Sequence, residues 1–243
     1  MSYRPYCIAA KKIRNAKLDI YSELTKLLSL YIVDISEKQI KNIIFDLGGV
    51  LLNIDYNLLV KAFANIGLPH FEDYFTQKSQ RDFFDLYEKG LISSEEFRKK
   101  IKEKCAAGTT DAEIDAAWNS MLLDFPKHRL ELLLKLKGRY RTFLLSNTNE
   151  IHMNYIHSYL EKAFQMPDFS KHFEKVHLSY NMRMRKPDAE IFQAVLRQNN
   201  LEASETLFID DSVQHVESAT KLGIQTYWLD VKKEDITTLF KEA

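Results

Sequence analysis

Long apolar runs, cysteine and net charge are all scarce in this 243-residue chain. No stretch approaches the roughly 18 consecutive apolar residues that cross a bilayer, so no membrane-spanning helix is expected. The two cysteines, Cys7 and Cys105, lie far apart and lack metal-ligand spacing. They suit a reducing compartment, the cytoplasm, better than a disulfide scaffold. Lys plus Arg number 34 and Asp plus Glu 34. That balance removes any broad electrostatic case for nucleic acid or a membrane surface as partner. Internal repeats, low-complexity tracts and long Gly/Ser linkers are absent as well.

What is there is core material. The chain is 45% hydrophobic and 12% aromatic, enough for one large domain or a core domain with an insert. Residues 1–40 stand apart. Their basic cluster (Lys11, Lys12, Arg14, Lys17) is separated from the apolar stretch Leu27 to Val33 by Asp19 and Glu23, and Asp34, Glu37 and Lys38 follow. A signal peptide places its charges directly before the apolar region and a small-residue cleavage site after it. The segment reads instead as a helical arm whose apolar face (Leu18, Tyr21, Leu24, Leu27, Leu28) packs on the core or on a second copy of the chain, which leaves a homodimer open.

From Lys41 onward two patterns alternate. Ile43 to Phe45 reads as a buried strand running into a glycine-rich turn with Asp46 at its end. In the second half, strands are expected at Arg141 to Leu145, Glu174 to Leu178, Thr206 to Ile209 and Gln225 to Leu229. Helices fall between them at Ile151 to Leu160, Ala189 to Gln198 and Val213 to Leu222, the last ending at Gly223. This alternation predicts an α/β fold, a Rossmann-like doubly wound parallel sheet. Residues 56–123 differ, with helix after helix and no convincing strand. Ser93 to Glu96 and Thr110 to Glu113 have capping-box spacing, and Phe83, Phe84, Tyr87, Phe97 and Trp118 would give this insert its own small core. The expected division is an arm at 1–40, a core domain at 41–55 and 124–243, and a helical cap domain at 56–123.

Ligands collect at strand ends in open α/β sheets, so the polar residues there come first. Asp46 is a candidate nucleophile or metal ligand, against the plainer reading of a turn cap. Asp210 and Asp211 sit side by side after Leu207-Phe208-Ile209, and a bound divalent cation would relieve their repulsion. Alternatively, Asp211 or Ser212 caps the following helix. Lys186, in Arg185-Lys186-Pro187-Asp188, fits a charge clamp beside a carboxylate. His152, His157, His172, His177 and His215 are scattered, and all seven histidines read as structural or surface residues.

Four segments in order, Phe45-Asp46-Leu47-Gly48-Gly49-Val50, Leu145-Ser146-Asn147-Thr148-Asn149, Met184-Arg185-Lys186-Pro187-Asp188 and Ile209-Asp210-Asp211-Ser212, resemble the four motifs of the haloacid dehalogenase superfamily. The helical insert after the first motif is similar to the C1 cap of its subfamily IA. Within that group the motifs look closest to bacterial α-D-glucose-1-phosphatase-like proteins. The resemblance runs from about Lys41 to Asp230 and implies a phosphoric monoester hydrolase working through an aspartyl-phosphate. Asp46 would be the nucleophile and Lys186 the clamp. Ser146 and the Asn147 backbone N–H would bind the phosphoryl oxygens. Mg²⁺ would be held by Asp46, Asp211, the Gly48 carbonyl and, directly or through water, Asp210.

One position departs from the family. Gly48 stands where family phosphatases carry a second Asp that protonates the leaving oxygen, a loss on the order of 10² to 10⁴ in rate. Asp55 is the nearest substitute acid/base. A sugar 1-phosphate, whose anomeric oxygen leaves readily, would need that proton less. The leading expectation is therefore a Mg²⁺-dependent phosphatase acting on a small phosphate ester, such as a hexose 1-phosphate. A non-catalytic phosphometabolite- or partner-binding relative and a 2-haloacid dehalogenase are the alternatives.

Overall fold

Alternation along the strands sorts the sheet into two layers. In the computed structural model, which describes residues 40–75 and 83–240, Ile43, Phe45, Leu144, Leu207 and Ile209 face one hydrophobic layer. Ile44, Phe143, Leu145 and Phe208 face the other. Successive side chains of a strand point to opposite faces, and here both faces are covered, so the strands read as continuous apolar runs.

The strands are β1 (Asn42–Phe45), β2 (Arg141–Ser146), β3 (Lys175–Leu178), β4 (Thr206–Asp210) and β5 (Gln225–Trp228). They form one parallel sheet in the order β3-β2-β1-β4-β5. The expected arm lies outside the described residues apart from Ile40. Between β1 and β2 come α1 (Tyr56–Asn65), α2 (Phe83–Glu88), α3 (Ser94–Lys102), α4 (Asp111–Asn119) and α5 (Lys127–Lys137). Ser93 and Thr110 cap α3 and α4 with reciprocal bonds to Glu96 and Glu113. After β2 follow α6 (Glu150–Phe164), α7 (Ser179–Met182), α8 (Ala189–Asn199) and α9 (Val213–Thr220). Helix α9 stops two residues before its expected end, and the turn closes at Gly223 with φ +80°.

Helices α1 to α4 leave and rejoin the sheet through two paired segments. Asn53 N–H donates to Asp124 O and Leu123 N–H to Asn53 O, each at 2.9 Å, and Ile54 bridges Leu122 antiparallel. The insert's aromatics do pack together: Phe63 stacks on Phe71 at 4.0 Å between centroids, and Phe97 stands 5.1 Å from Trp118. They do not make a separate core, however. Trp118 stacks at 4.8 Å on His152 of α6, and the apolar cluster runs unbroken from Phe63 to Phe45.

Polar contacts add to this attachment. Trp118 Nε1 donates to Asn149 Oδ1, Ile151 N–H donates to Tyr87 Oη, and Ser94 Oγ donates to Glu150. Gly90, at φ +62°, passes so close to Tyr180 that a Cβ would lie 2.1 Å from its carbonyl oxygen. Only glycine fits there.

Candidate active site

Register alone brings the strand-end residues together. Phe45 of β1 pairs with Leu144 on one side and Ile209 on the other. Asp46, Ser146 and Asp210 therefore emerge within one or two residues of each other at the carboxyl edge of three adjacent strands, where open α/β sheets bind ligands. The Asp46 N–H donates to Ile209 O at 2.9 Å, which fixes the start of the turn.

Lys186 reaches this edge from the loop between α7 and α8. Its Nζ is fully buried and donates to Asp46 Oδ1 at 2.7 Å, Asp210 Oδ2 at 2.7 Å and Leu145 O at 3.0 Å. All three donors of the ammonium are thus used. Burial alone would favour the neutral amine, but the Asp210 and Asp46 charges overcome it and raise the Lys186 pKa.

The two carboxylates are not equivalent. Burial pushes both upward. At Asp210, Lys186 and His215 reverse that and hold it down at about 2. Its Oδ1 also accepts the Ser212 N–H at 2.8 Å, and His215 Nδ1 stands 3.1 Å from each oxygen. At Asp46, burial outweighs Lys186 and the Asp210 charge adds to it, so the pKa is raised. Asp210 is the permanent anion. The contact to Lys186 is made by Asp46 Oδ1, and Oδ2 has no hydrogen bond among the described residues.

Asp46, Asp210 and Asp211 each offer an oxygen within 4.8 Å of the others. Three hard carboxylate donors at this spacing fit a divalent cation such as Mg²⁺, which would also favour the ionised form of Asp46. The backbone makes room for the third. Gly49, at φ +78°, approaches Asp211 so closely that a Cβ would lie 2.5 Å from Oδ2. The Gly48 backbone lines the same cleft, and a Cβ there would meet Ile54 Cδ1 at 3.3 Å.

The cleft holds about 640 Å³ of empty space, open solvent at its mouth included. Ser146 lines it, its Oγ making only a 3.4 Å contact to Asn147 O. The side chain of Asn147 grips the Lys186 backbone instead: Nδ2 donates to Lys186 O at 2.8 Å, and Oδ1 accepts Lys186 N–H at 2.9 Å.

Asp55 is not among the lining residues. Its Oδ1 caps α1, accepting from Asn57 N–H at 2.8 Å and Asn57 Nδ2 at 2.9 Å. Ser212, by contrast, sits at the N-cap of α9 without a side-chain capping bond.

Tyr56, Glu88, Arg185, His152 and His215 also line the cleft, and sequence reasoning gave none of them a site role. Of the structural and surface readings of His215, the surface one does not fit. It is buried, touches Asp210, and leaves Nε2 without a hydrogen-bond partner among the described residues. Its position five residues after Asp210, on the first turn of the helix leaving that strand end, was the available signal. His152 also lines the cleft while bonding Trp118 O at 3.0 Å. Glu88 closes helix α2, and burial raises its pKa against the pull of Arg185. Burial and the surrounding carboxylates push the Tyr56 hydroxyl well above its usual value.

A family model described as haloacid dehalogenase-like hydrolase matches residues 40–223. D-ribitol-5-phosphate phosphatase of Bacteroides thetaiotaomicron is 33% identical over 188 residues, spanning 77% of this chain and 91% of that protein. A haloacid dehalogenase family enzyme of the same organism, solved as a magnesium complex, superimposes with a TM-score of 0.77 at 42% identity. The match covers 84% of this chain and 100% of that one. A hydrolase of the same family from Porphyromonas gingivalis gives 0.75 at 31% identity, covering 84% and 100%. No helix among the described residues is long and apolar enough to cross a membrane.

Proposed function

The chain belongs to the haloacid dehalogenase-like hydrolases, and from that premise we propose that it is a Mg²⁺-dependent phosphatase of small phosphorylated sugars or sugar alcohols. One observation carries this reading: a fully buried Lys186 bridges Asp46 and Asp210, with Asp211 completing a three-carboxylate cluster. The similarity to a D-ribitol-5-phosphate phosphatase, and to an enzyme solved with magnesium and inorganic phosphate, supports both the reaction and the ion.

Asp46 Oδ2 attacks phosphorus, the ester P–O bond breaks, and the departing oxygen takes up a proton from water. Water then attacks the same phosphorus, releasing phosphate and restoring the carboxylate. Splitting hydrolysis this way replaces one difficult displacement by two easier ones. Lys186 holds Asp46 in place, and Ser146 Oγ with the Asn147 N–H holds the transferring oxygens. Asp46, Asp211, the Gly48 carbonyl and Asp210, directly or through water, would bind the cation. Its chemical contribution is to offset the charge between nucleophile and phosphate. Helices α1 to α4 act as the cap that excludes bulk water.

Within this class the site of phosphorylation is open to choice. A hexose 1-phosphate would ease the lack of a carboxylate at Gly48 through its better leaving oxygen, whereas the ribitol-5-phosphate relative favours an ester on a primary carbon. Phosphate release from D-ribitol 5-phosphate, hexose 1-phosphates and hexose 6-phosphates, with Mg²⁺ or with EDTA, tests the proposal. Turnover that requires Mg²⁺ on at least one of these is expected. Folded protein that releases no phosphate from any of them contradicts it.

A further inference from the structure

The carboxyl edge of the sheet supplies a nucleophile and a clamp, but no donor for the oxygen that leaves. Gly48 has no side chain, and the space beside it is filled: a Cβ there would meet Ile54 Cδ1 at 3.3 Å and Cγ2 at 3.7 Å. Asp55 is occupied in capping α1. An in-line displacement puts the leaving oxygen across phosphorus from Asp46, on the insert side of the cleft. The insert residues lining that side are Tyr56, Phe75, Glu88, Met121 and Leu122. Phe75, Met121 and Leu122 carry no side-chain donor, and Glu88 is paired with Arg185 at 2.9 Å. Tyr56 has the one hydroxyl among them.

Tyr56 opens α1 directly after the Asp55 cap, so the first turn of the insert fixes it two residues beyond Ile54. Its ring packs against Phe75 at 6.4 Å between centroids, and the residue is half-buried. The hydroxyl donates no hydrogen bond among the described residues, and it is not one of the sealed polar atoms of the cleft, as Glu88 Oε2 is. We propose that Tyr56 is a catalytic residue whose hydroxyl donates a hydrogen bond to the leaving oxygen, doing from α1 what a side chain at position 48 would do.

This rests on the phosphatase reading above and specifies its substrate. Burial first, and then the charges of Asp211, Glu88, Asp46 and Asp210, hold the phenol well above its usual pKa. Tyr56 therefore keeps its proton throughout. As the ester P–O bond breaks, its electron pair goes to the departing oxygen, Tyr56 Oη–H bonds that oxygen, and water supplies the proton. A preorganised donor aimed at developing charge lowers the barrier most where that charge is largest. An ordinary alkoxide, as from a phosphate on a primary carbon of a sugar or sugar alcohol, gains more than a leaving group that spreads its own charge. The substrate class is thus the phosphate ester of an ordinary alcohol.

The test measures kcat/KM of the native chain and of Tyr56→Phe at saturating Mg²⁺, with thermal unfolding of both. One substrate is the faster of D-ribitol 5-phosphate and a hexose 6-phosphate. The other is the faster of p-nitrophenyl phosphate and acetyl phosphate, whose leaving anions are stabilised by their own delocalisation. Tyr56→Phe keeps the ring against Phe75, so its Tm should match the native one, and Tyr56→Leu gives the same comparison should the phenylalanine variant not fold. A loss of at least about tenfold on the sugar or polyol ester, with less than about threefold on the activated one, is expected. Equal losses on both, or no loss on the sugar or polyol ester, overturn the Tyr56 donor and leave the phosphatase intact. Native turnover of the activated substrate alone does the same. No phosphate release from any of them by the native chain overturns the phosphatase reading and this inference with it.

Discussion

The side-chain amide of Asn147 closes a two-bond ring on the backbone of Lys186, donating to its carbonyl at 2.8 Å and accepting its N–H at 2.9 Å. The end of strand β2 thereby dictates where the loop after β3 delivers its lysine, through the side chain of a residue expected to act through its backbone N–H. Replacing it by Asn147→Ala removes both bonds and leaves the Lys186 backbone groups to find water. A loss of about 1–3 kcal/mol in stability is expected. Steady-state kinetics should show a fall in kcat larger than the rise in KM, because a misplaced Lys186 affects the reacting carboxylate more than substrate docking. A kcat that stays at the native value would show that Lys186 is positioned by other means.

Removing the ammonium itself leaves two buried carboxylates facing each other. Lys186→Met should abolish turnover and cost about 3–5 kcal/mol when no divalent cation is present. Since the lost charge sat beside the proposed ion site, Mg²⁺ should raise the Tm of the variant more than that of the native chain. Ligands that bind only the folded state stabilise it with the logarithm of their concentration over Kd. Equal Mg²⁺-dependent shifts in the two proteins would separate Lys186 from the cation site.

Part of the acid sensitivity should come from a histidine outside the active site. His177, on β3, has its pKa lowered to about 4, mainly by burial and further by Lys175. Asn199 Nδ2 lies 2.9 Å from its Nε2, which suits the neutral ring as acceptor. The folded pKa lies below the unfolded value near 6.5, so the unfolded state takes up the proton first. The stabilisation is complete above about pH 6.5 and is lost as pH falls toward about 4, at about 1.4 kcal/mol for each pH unit between the two values. Urea midpoints measured from pH 7 to pH 4 should fall less steeply for His177→Gln than for the native chain. Parallel slopes would contradict the assignment.

Much of the fold was legible because each strand of the second half is a short apolar run bounded by helix signals, and both capping boxes are local chemistry. The four motif segments were legible for the same reason, since Asp46, Ser146, Lys186 and Asp210 each lie at or beside a recognisable strand end or turn. Residues whose role depends on packing between distant elements were not. Glu88 ends a six-residue helix whose direction no local pattern sets, and Arg185 looked like any basic loop residue. His215 could not be distinguished from a surface histidine until α9 was seen to fold back over Asp210. Asp55 failed in the opposite sense. Nearness in sequence suggested the cleft, while the backbone of α1 claimed its carboxylate as a cap.

In the proposed reaction Asp46 takes the phosphoryl group. Rapid quenching during turnover, followed by borohydride reduction and peptide mass spectrometry, reads this directly, because an acyl phosphate at an aspartate is reduced to homoserine. Homoserine at position 46, formed only when both Mg²⁺ and a turned-over phosphate ester are present, is the predicted result. Steady turnover with no modification at position 46 under any quench time would contradict it.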